Sequence, residues 1–332
     1  MFFILASYHS YQIPPSAPET KFIVWIRVAG RRTSSSRGGT VRPDHRFLQK
    51  PKTFWASVRT ISQAVGYTQR GTGRIKVPDL PAMRKAFREL GLSDAVLRER
   101  DGTPTPLARG LQEYFSYRAE VLNEYVEPRL MDAARAKAEF DALKARLNPT
   151  CPIPMNKQKG EMKAEAFLTG LVNMMVEAHA EGLPCDYDPH ELTTVTRDGV
   201  PVRTLARRVD GAFPSAVNPV AVWEIKEYYY TTTFGSRVAD GVYETLLDGM
   251  ELEELREHEG IDVRHYLIVD AHYTWWDCGR SYLCRMVDML HMGYVDEILF
   301  GYEVIEEMPR IMAELVALVR AKGGVTAELD ER

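Results

Sequence analysis

The chain has 332 residues, of which 45% are hydrophobic and 27% are charged, so it can bury ordinary protein cores. Its formal net charge of −4 gives no overall attraction to nucleic acid, and no apolar run approaches the roughly 18 residues of a membrane-spanning helix. The four cysteines lack the spacing of a disulfide framework, which is typical of a reducing cytoplasm. We therefore expect a cytoplasmic protein without a membrane anchor, and the length favours two domains.

Residues 1–43 are predicted to be a disordered extension, because a proline pair and a run rich in serine and glycine cannot build a core. The next segment, residues 44–105, contrasts with the acidic average: it holds ten basic residues between positions 46 and 88 and one acidic residue, Asp79. Apolar residues recur at helical spacing from Phe54 to Val65, and Asp79 is a suitable N-cap for a second helix. Two helices around a basic, glycine-containing turn predict a helix-turn-helix or winged-helix-like DNA-binding domain.

A helical linker is predicted over residues 106–150, because Thr105 and Pro106 form a good helix start and an apolar stripe follows. Pro128 should break or kink this helix. Residues 151–332 then alternate between strand and helix patterns, which predicts an α/β domain with helices covering a sheet. The predicted helices cover residues 161–181, 237–256, 281–292 and 304–322, and the predicted strands cover residues 192–196, 205–213, 220–226, 264–270 and 295–301.

Three residues of this second domain have the chemistry of a phosphodiester hydrolase. Asp210 lies near the end of one predicted strand, and Glu224, fourteen positions later, shares the strongest predicted strand with Lys226. Residues two apart on a strand share a face, so Glu224 and Lys226 point the same way. Two carboxylates can hold Mg²⁺ with open positions for water and phosphate, and a lysine can orient the attacking water. The backbone carbonyl of Ile225 is a further candidate metal ligand.

The Glu-x-Lys pattern has little specificity by itself, because the chain contains it three times. Only Glu224 and Lys226 end an apolar strand that follows an Asp-Gly pair. The same pattern also fits a solvated strand edge that carries a Glu/Lys pair. Two further acids, Glu161 and Glu165, lie four residues apart on the helix predicted before the strands, where either could assist the metal. A plain solvent-facing helix end is the alternative interpretation of these two acids.

The order of helix with Glu, strand with Asp, strand with Glu-x-Lys, helix and strand resembles the PD-(D/E)xK, or restriction-endonuclease-like, nucleases over residues 159–300. The resemblance implies a mixed sheet flanked by helices, in which Asp210 and Glu224 bind Mg²⁺ and Lys226 assists the water. Mn²⁺ would be able to replace Mg²⁺. The family name calls for a proline before the aspartate, and Val209 stands there instead.

Candidate DNA contacts lie in both predicted domains. In the first domain they are the basic residues of the turn and of the following helix, where phosphate contact is favoured over base reading. After the Glu-x-Lys strand, hydroxyl, aromatic and basic side chains suit contacts to phosphates and sugars. The candidates are Arg70, Arg74, Lys76, Arg84, Lys85 and Arg88 in the first domain, and Tyr229, Thr232, Ser236 and Arg237 in the second.

The sequence therefore predicts a magnesium-dependent endonuclease for double-stranded DNA, of the type II restriction or related defence class. Because a nuclease with one site per chain needs two sites to cut both strands, we expect a homodimer. No phosphate-cradling glycine loop is present, so no nucleotide cofactor is expected. Two alternatives stay open: a DNA-binding regulator with a catalytically inactive nuclease-like fold, and a repair or recombination nuclease that selects DNA structure.

Overall fold

The computed structural model describes residues 41–231 and 235–330, with the side chains of residue 237 and of residues 323–330 left aside. The helices are α1 (His45–Leu48), α2 (Lys52–Val65), α3 (Leu80–Glu89), α4 (Pro106–Glu120), α5 (Glu127–Arg129), α6 (Ala133–Leu147), α7 (Phe167–His179), α8 (Ser236–Glu259), α9 (Arg280–Met292) and α10 (Glu303–Asp330). The strands are β1 (Asp186–Tyr187), β2 (Thr194–Arg197), β3 (Val200–Thr204), β4 (Gly211–Phe213), β5 (Ala221–Glu227), β6 (Arg264–Asp270) and β7 (Glu297–Phe300). Within the described ranges, no helix has the length and apolar character that a bilayer crossing requires.

The main sheet has the strand order β1-β4-β5-β6-β7. β4 runs antiparallel to β1 and β5, whereas β5, β6 and β7 run parallel to one another. β2 and β3 form a separate antiparallel hairpin. Each parallel step includes a helix, α8 between β5 and β6 and α9 between β6 and β7. The predicted α/β class with a mixed sheet flanked by helices is confirmed.

Helices cover both faces of the sheet. On one face, α6, α7 and α10 share a buried cluster with Trp223 and Ile268, and on the other, α8 and α9 share one with Leu267 and Val269. Successive strand side chains point to opposite faces, so Glu224 and Lys226 lie on the face that α8 covers. The sequence pattern of β5 predicted this shared face correctly.

The N-terminal helices α1 to α4 surround a core of their own. A buried polar network joins this core to α9: the Nη1 atom of Arg118 lies 3.0 Å from Oδ1 of Asp288, and the hydroxyl of Tyr114 donates to the same oxygen at 2.6 Å. The Nη2 atom of Arg118 donates to the hydroxyl of Ser62 on α2 at 3.2 Å. Arg118 is 2% exposed, so the pair depends on these partners, and removing one would leave a buried charge unpaired.

Local signals placed several elements correctly. α2 ends at Gly66, the side chain of Asp79 accepts from the backbone of Ala82 to cap α3, and Thr105 caps α4 in the same way. The helical run that starts there continues through a π-helical turn and ends at Arg129, next to the predicted break at Pro128. β6 has the predicted bounds and lies between two strands, as its uniformly apolar sequence indicated.

The strand predicted over residues 205–213 is confirmed only at residues 211–213 and is wrong before them. β3 ends at Thr204 and β4 begins at Gly211, so the residues between them form a loop. Leu205 and Val209 are buried in a small cluster beside this loop, which is why their pattern resembled a strand. The side chain of Arg207 turns from the loop toward the α8-covered face of the sheet, where carboxylates bind it.

The helix predicted over residues 161–181 begins later, at Phe167. Met155 and Glu165 form an antiparallel bridge, and the backbone N–H of Asn156 donates to the carbonyl of Ala164 at 2.8 Å, so this segment is extended. Glu161 lies in a single 3₁₀ turn. The two acids therefore do not share a helix face.

The predicted extension lies outside the described residues except for residues 41–43. Val41 is 3% exposed, and the guanidinium of Arg42 pairs with Glu307 on α10. These contacts place the start of the folded part before residue 44, the predicted boundary.

Replacing Gly211 with alanine should destabilise the protein by about 1–3 kcal/mol, the usual cost of overpacking a core. A Cβ atom at this position would lie 2.2 Å from Cε2 of Trp223, its cross-strand partner, which is 2% exposed. Gly110 in α4 is the matched control, because a Cβ there would meet Phe54 at an ordinary 3.5 Å. Gly110→Ala should stabilise the helix by roughly 0.5–1 kcal/mol. Urea unfolding measures both, and equal stability of the two variants would contradict the described β4–β5 packing.

Candidate active site

Glu224 and Lys226 form an ion pair between the sheet and α8. Glu224 is 0% exposed and Lys226 is 6% exposed. The Nζ atom of Lys226 lies 2.7 Å from Oε2 of Glu224. Gly241 of α8 makes room for the lysine, because a Cβ atom there would lie 3.1 Å from Cδ of Lys226. The close approach of α8 therefore fixes where the ammonium group points.

Asp210 lies beside this pair, immediately before β4. Its backbone N–H donates to the carbonyl of Trp223 at 3.1 Å, and its Oδ2 atom accepts from the N–H of Ile225 at 2.7 Å. The antiparallel register of β4 and β5 thus brings Asp210 next to Glu224. The N–H and C=O of one strand residue point to the same edge, so the Ile225 carbonyl lies on the side of Asp210. The structure brings together the predicted catalytic and metal-binding residues of the two strands.

Three further charged residues complete the cluster, and the sequence analysis did not identify them. Arg207 binds Glu224 through two hydrogen bonds of 2.7 and 3.2 Å, and its Nη1 atom also lies 2.6 Å from Oδ2 of Asp248. Glu244 lies 3.4 Å from Nζ of Lys226 and 3.5 Å from Nη2 of Arg207. Glu244 and Asp248 are four residues apart on α8. Asp248 is 0% exposed, and the signal in the sequence was an acid within the apolar stretch from Leu246 to Met250.

Negative charge exceeds positive charge in this cluster. Burial raises the pKa of Asp210 to about 6 with help from the charge of Glu224, and burial raises the pKa of Asp248 to about 7. Burial also opposes ionisation of Glu224, but Lys226 and Arg207 hold its pKa below the usual range. Lys226 keeps a raised pKa despite burial, because Glu224 and Asp210 are close. The site therefore contains a charged ammonium group, and its cations do not fully neutralise the carboxylates of Asp210 and Asp248.

The donor set fits a hard divalent cation in composition. Asp210, Glu224 and the Ile225 carbonyl supply oxygen ligands, which Mg²⁺ prefers. The Oδ1 atom of Asp248 is buried and has no hydrogen-bond partner, so one oxygen of the cluster is available to a cation. In the side-chain positions of the described residues, no three Asp, Glu, His or Cys groups converge on one metal position. Arg207 lies between two of the carboxylates that would have to converge.

The two acids predicted to assist the metal have other surroundings. Glu165 lies in the extended segment before α7, and its carboxylate binds Nζ of Lys144 on α6 at 2.5 Å. Glu161 is exposed in its 3₁₀ turn. The carboxylates that accompany Asp210 and Glu224 come from α8, which follows the Glu-x-Lys strand.

The residues after β5 differ in accessibility. Tyr229 is half-buried: its hydroxyl donates to the buried carboxylate of Asp270, and its ring centre lies 6.2 Å from that of Phe167, so the hydroxyl of this predicted DNA contact is already bound within the fold. Ser236 is the first residue of α8 and is exposed. Thr232 and the side chain of Arg237 lie outside the described residues.

Intramolecular partners bind most of the basic residues predicted to contact DNA. Arg74 pairs with Glu124, Lys76 donates to the Val65 carbonyl, Arg84 and Arg88 bind Asp94, and Lys85 pairs with Glu89. For Arg70, no hydrogen bond or ion pair occurs with the part of the chain that the structure describes. Exposed ion pairs are worth about 0–1 kcal/mol, so a DNA phosphate can replace the acidic partner of such an arginine.

An open cleft of about 450 Å³ lies between α2, α8 and α9. Arg285 lines it, with its guanidinium 4.6 Å from the ring centre of Tyr282 and 2.7 Å from the hydroxyl of Tyr243. Arg59 from α2 also lines it. Neither arginine pairs with an acid among the described side chains, which adds two accessible cations that the sequence analysis did not select.

Replacing Asp248 with asparagine should stabilise the chelator-treated protein more at pH 8.5 than at pH 4.5, by on the order of 2 kcal/mol. A carboxyl whose pKa is raised in the folded state stabilises the protein below its unfolded value near 3.8, and this contribution is lost as the pH rises through about 7. Asparagine has no proton to lose, so the difference in the free energy of unfolding between variant and wild type widens as the pH rises. Urea unfolding at both pH values measures the gap, with Asp240→Asn, on an exposed residue of the same helix, as the control. A gap independent of pH would contradict this description of the cluster.

Two family models match the chain. Residues 41–125 match a domain of unknown function, DUF7690, and residues 131–315 match a second one, DUF7687. The two matches meet within the segment that the sequence analysis treats as a linker, between the N-terminal helices and the α/β part. No curated protein and no solved structure matches the chain. Because the second match covers more than half of its length, the chain belongs to the family described as a domain of unknown function, DUF7687.

Proposed function

We propose that the chain is a magnesium-dependent endonuclease with a restriction-endonuclease-like fold, and that it hydrolyses phosphodiester bonds of double-stranded DNA. The observation that carries the proposal is the position of Asp210, Glu224 and Lys226. Asp210 lies immediately before β4, and Glu224 and Lys226 lie on its antiparallel neighbour β5, so the three residues are brought together under α8. The order α7, β1, β2, β3, β4, β5, α8, β6 supports the proposal, because one helix precedes the strands around Asp210 and Glu224 and another follows them.

Each residue has a distinct task in this proposal. Asp210, Glu224 and the Ile225 carbonyl would hold the metal ion. When bound, Mg²⁺ supplies charge neutralisation at the phosphate and a more acidic water molecule. Lys226 donates hydrogen bonds to the attacking water or to a phosphate oxygen, because its raised pKa keeps it charged at neutral pH and unsuited to act as a base.

DNA would be bound by cations outside this cluster. Arg70, Arg59 and Arg285 have no acidic partner among the described side chains, and Arg285 also stacks on tyrosine rings. The paired arginines Arg74 and Arg88 can exchange their partners for phosphate. A predicted DNA-binding domain, residues 44–105, joined to a nuclease would suit a type II restriction enzyme or a related defence nuclease. Cutting both strands would then require a homodimer with two sites.

One observation favours the rival function of a DNA-binding regulator with an inactive site. Both oxygens of Glu224 are bound by cations of the chain, Arg207 and Lys226, which leaves the carboxylate satisfied without any metal. In a regulator this ion-pair cluster would serve stability alone. Activity measurements on Lys226 separate the two functions.

Replacing Lys226 with alanine should slow single-turnover cleavage of plasmid DNA in Mg²⁺ by at least two decades, or about 2.7 kcal/mol of barrier. DNA affinity in Ca²⁺, which fills metal sites but supports cleavage poorly, should stay near that of wild type. Lys163 is the matched control, because it is the exposed lysine of another Glu-x-Lys sequence. Lys163→Ala should cut DNA at the wild-type rate.

A small effect of Lys226→Ala on cleavage would mean that the lysine is only a structural partner of Glu224. Wild-type protein that binds DNA but cuts none, of any sequence or methylation state, in Mg²⁺ or Mn²⁺ would support the regulator. Preference for branched or nicked DNA over intact duplex would instead support a repair or recombination nuclease.

A further inference from the structure

We propose that Arg207 occupies the position of the divalent cation in the metal-free site, and that metal binding requires this guanidinium to leave. Asp248 then joins Asp210 and Glu224 as a third carboxylate of the metal site. The inference rests on the proposed function, because it concerns the same site. It assigns roles to two residues outside the Asp/Glu-x-Lys pattern.

The guanidinium of Arg207 lies between two carboxylates. A single atom, Nη1 of Arg207, lies 2.7 Å from Oε1 of Glu224 and 2.6 Å from Oδ2 of Asp248. It therefore bridges two carboxylates from different elements, as a metal ion does. Mg²⁺ binds oxygen at about 2.0–2.1 Å, so each carboxylate has to move only roughly half an ångström after the arginine leaves.

The charges of the cluster are the second argument. Four carboxylates, Asp210, Glu224, Glu244 and Asp248, face two cations, Arg207 and Lys226. Replacing a guanidinium by a doubly charged ion improves the balance, and Oδ1 of Asp248, buried without a partner, gains a ligand. An acidic cluster alone would not indicate a metal, but a fully buried carboxylate that binds Arg207 through Oδ2 and has no donor at Oδ1 does.

The exposure of the arginine is the third argument. The side chain of Arg207 is 24% exposed, whereas those of Glu224 and Asp248 are 0% exposed. Arg207 comes from the loop between β3 and β4, so its side chain reaches the carboxylates from the rim. It can rotate outward to solvent or to a DNA phosphate while the sheet and α8 stay in place.

Titration with Mn²⁺, with the free ion measured by electron paramagnetic resonance, tests the inference. Arg207→Met keeps the length of the side chain and removes the charge, so it should bind Mn²⁺ about 10-fold or more tightly than wild type. Arg203 is the matched control, an arginine of β3 that pairs with Glu254 on α8. Arg203→Met should leave the affinity within about 2-fold of wild type. Adding Asp248→Asn to Arg207→Met should reverse most of the gain.

Equal or weaker Mn²⁺ binding by a folded Arg207→Met protein would overturn the inference and leave the proposed nuclease untouched. No Mn²⁺ binding by any variant would overturn both. If Arg207→Met does not fold, Arg207→Gln decides, because a glutamine keeps polar hydrogen-bond donors but removes the positive charge that competes with the metal ion. It should bind Mn²⁺ more tightly than wild type, and unchanged affinity overturns the inference. Tighter binding without DNA cleavage by wild type would support the inference and contradict the nuclease.

Discussion

The buried carboxylate of Glu224 determines how the surrounding elements are arranged. A carboxylate at 0% exposure is tolerated only with close positive partners, which Lys226 on the same strand and Arg207 from the preceding loop provide. Gly241 has no side chain, and this leaves room for Lys226 where α8 approaches β5. The arginine needs Asp248 on α8 as a second acceptor. The sheet, the loop and the helix are thus tied together through one ionised group.

This arrangement concentrates charge where folding alone would disfavour it. Two of the acids, Asp210 and Asp248, have raised pKa values, so the folded chain holds their ionised forms at a cost. Strained electrostatics of this kind cluster at functional sites. The ion pair of Arg118 with Asp288 is different, because Asp288 also accepts a hydrogen bond from Tyr114 and the pair joins the N-terminal helices to α9. The cluster around Glu224 therefore has the electrostatics of a functional site, whereas the ion pair of Arg118 with Asp288 connects two parts of the fold.

Sequence patterns predicted what depends on neighbours in the chain. The apolar runs of β5 and β6, the cap at Asp79 and the shared face of Glu224 and Lys226 follow from strand and helix periodicity, and all are observed. The patterns failed where tertiary contacts decide. Residues 205–210 form a loop and not a strand, because Leu205 and Val209 pack into a separate hydrophobic cluster. The segment before α7 is extended because Glu165 forms a β-bridge with Met155. Arg207 and Asp248 were missed for the same reason, since they meet only in the folded protein.

Asp210 and Glu224 are proposed to hold a catalytic metal ion. Conversion of supercoiled plasmid in Mg²⁺ by wild type and by Asp210→Asn tests it most directly, because asparagine keeps the shape and removes the ligand charge. The claim predicts that wild type cuts the plasmid and that Asp210→Asn does not, although the variant should be folded and bind DNA. Equal cutting by both proteins would contradict it, as would the absence of any cutting by wild type.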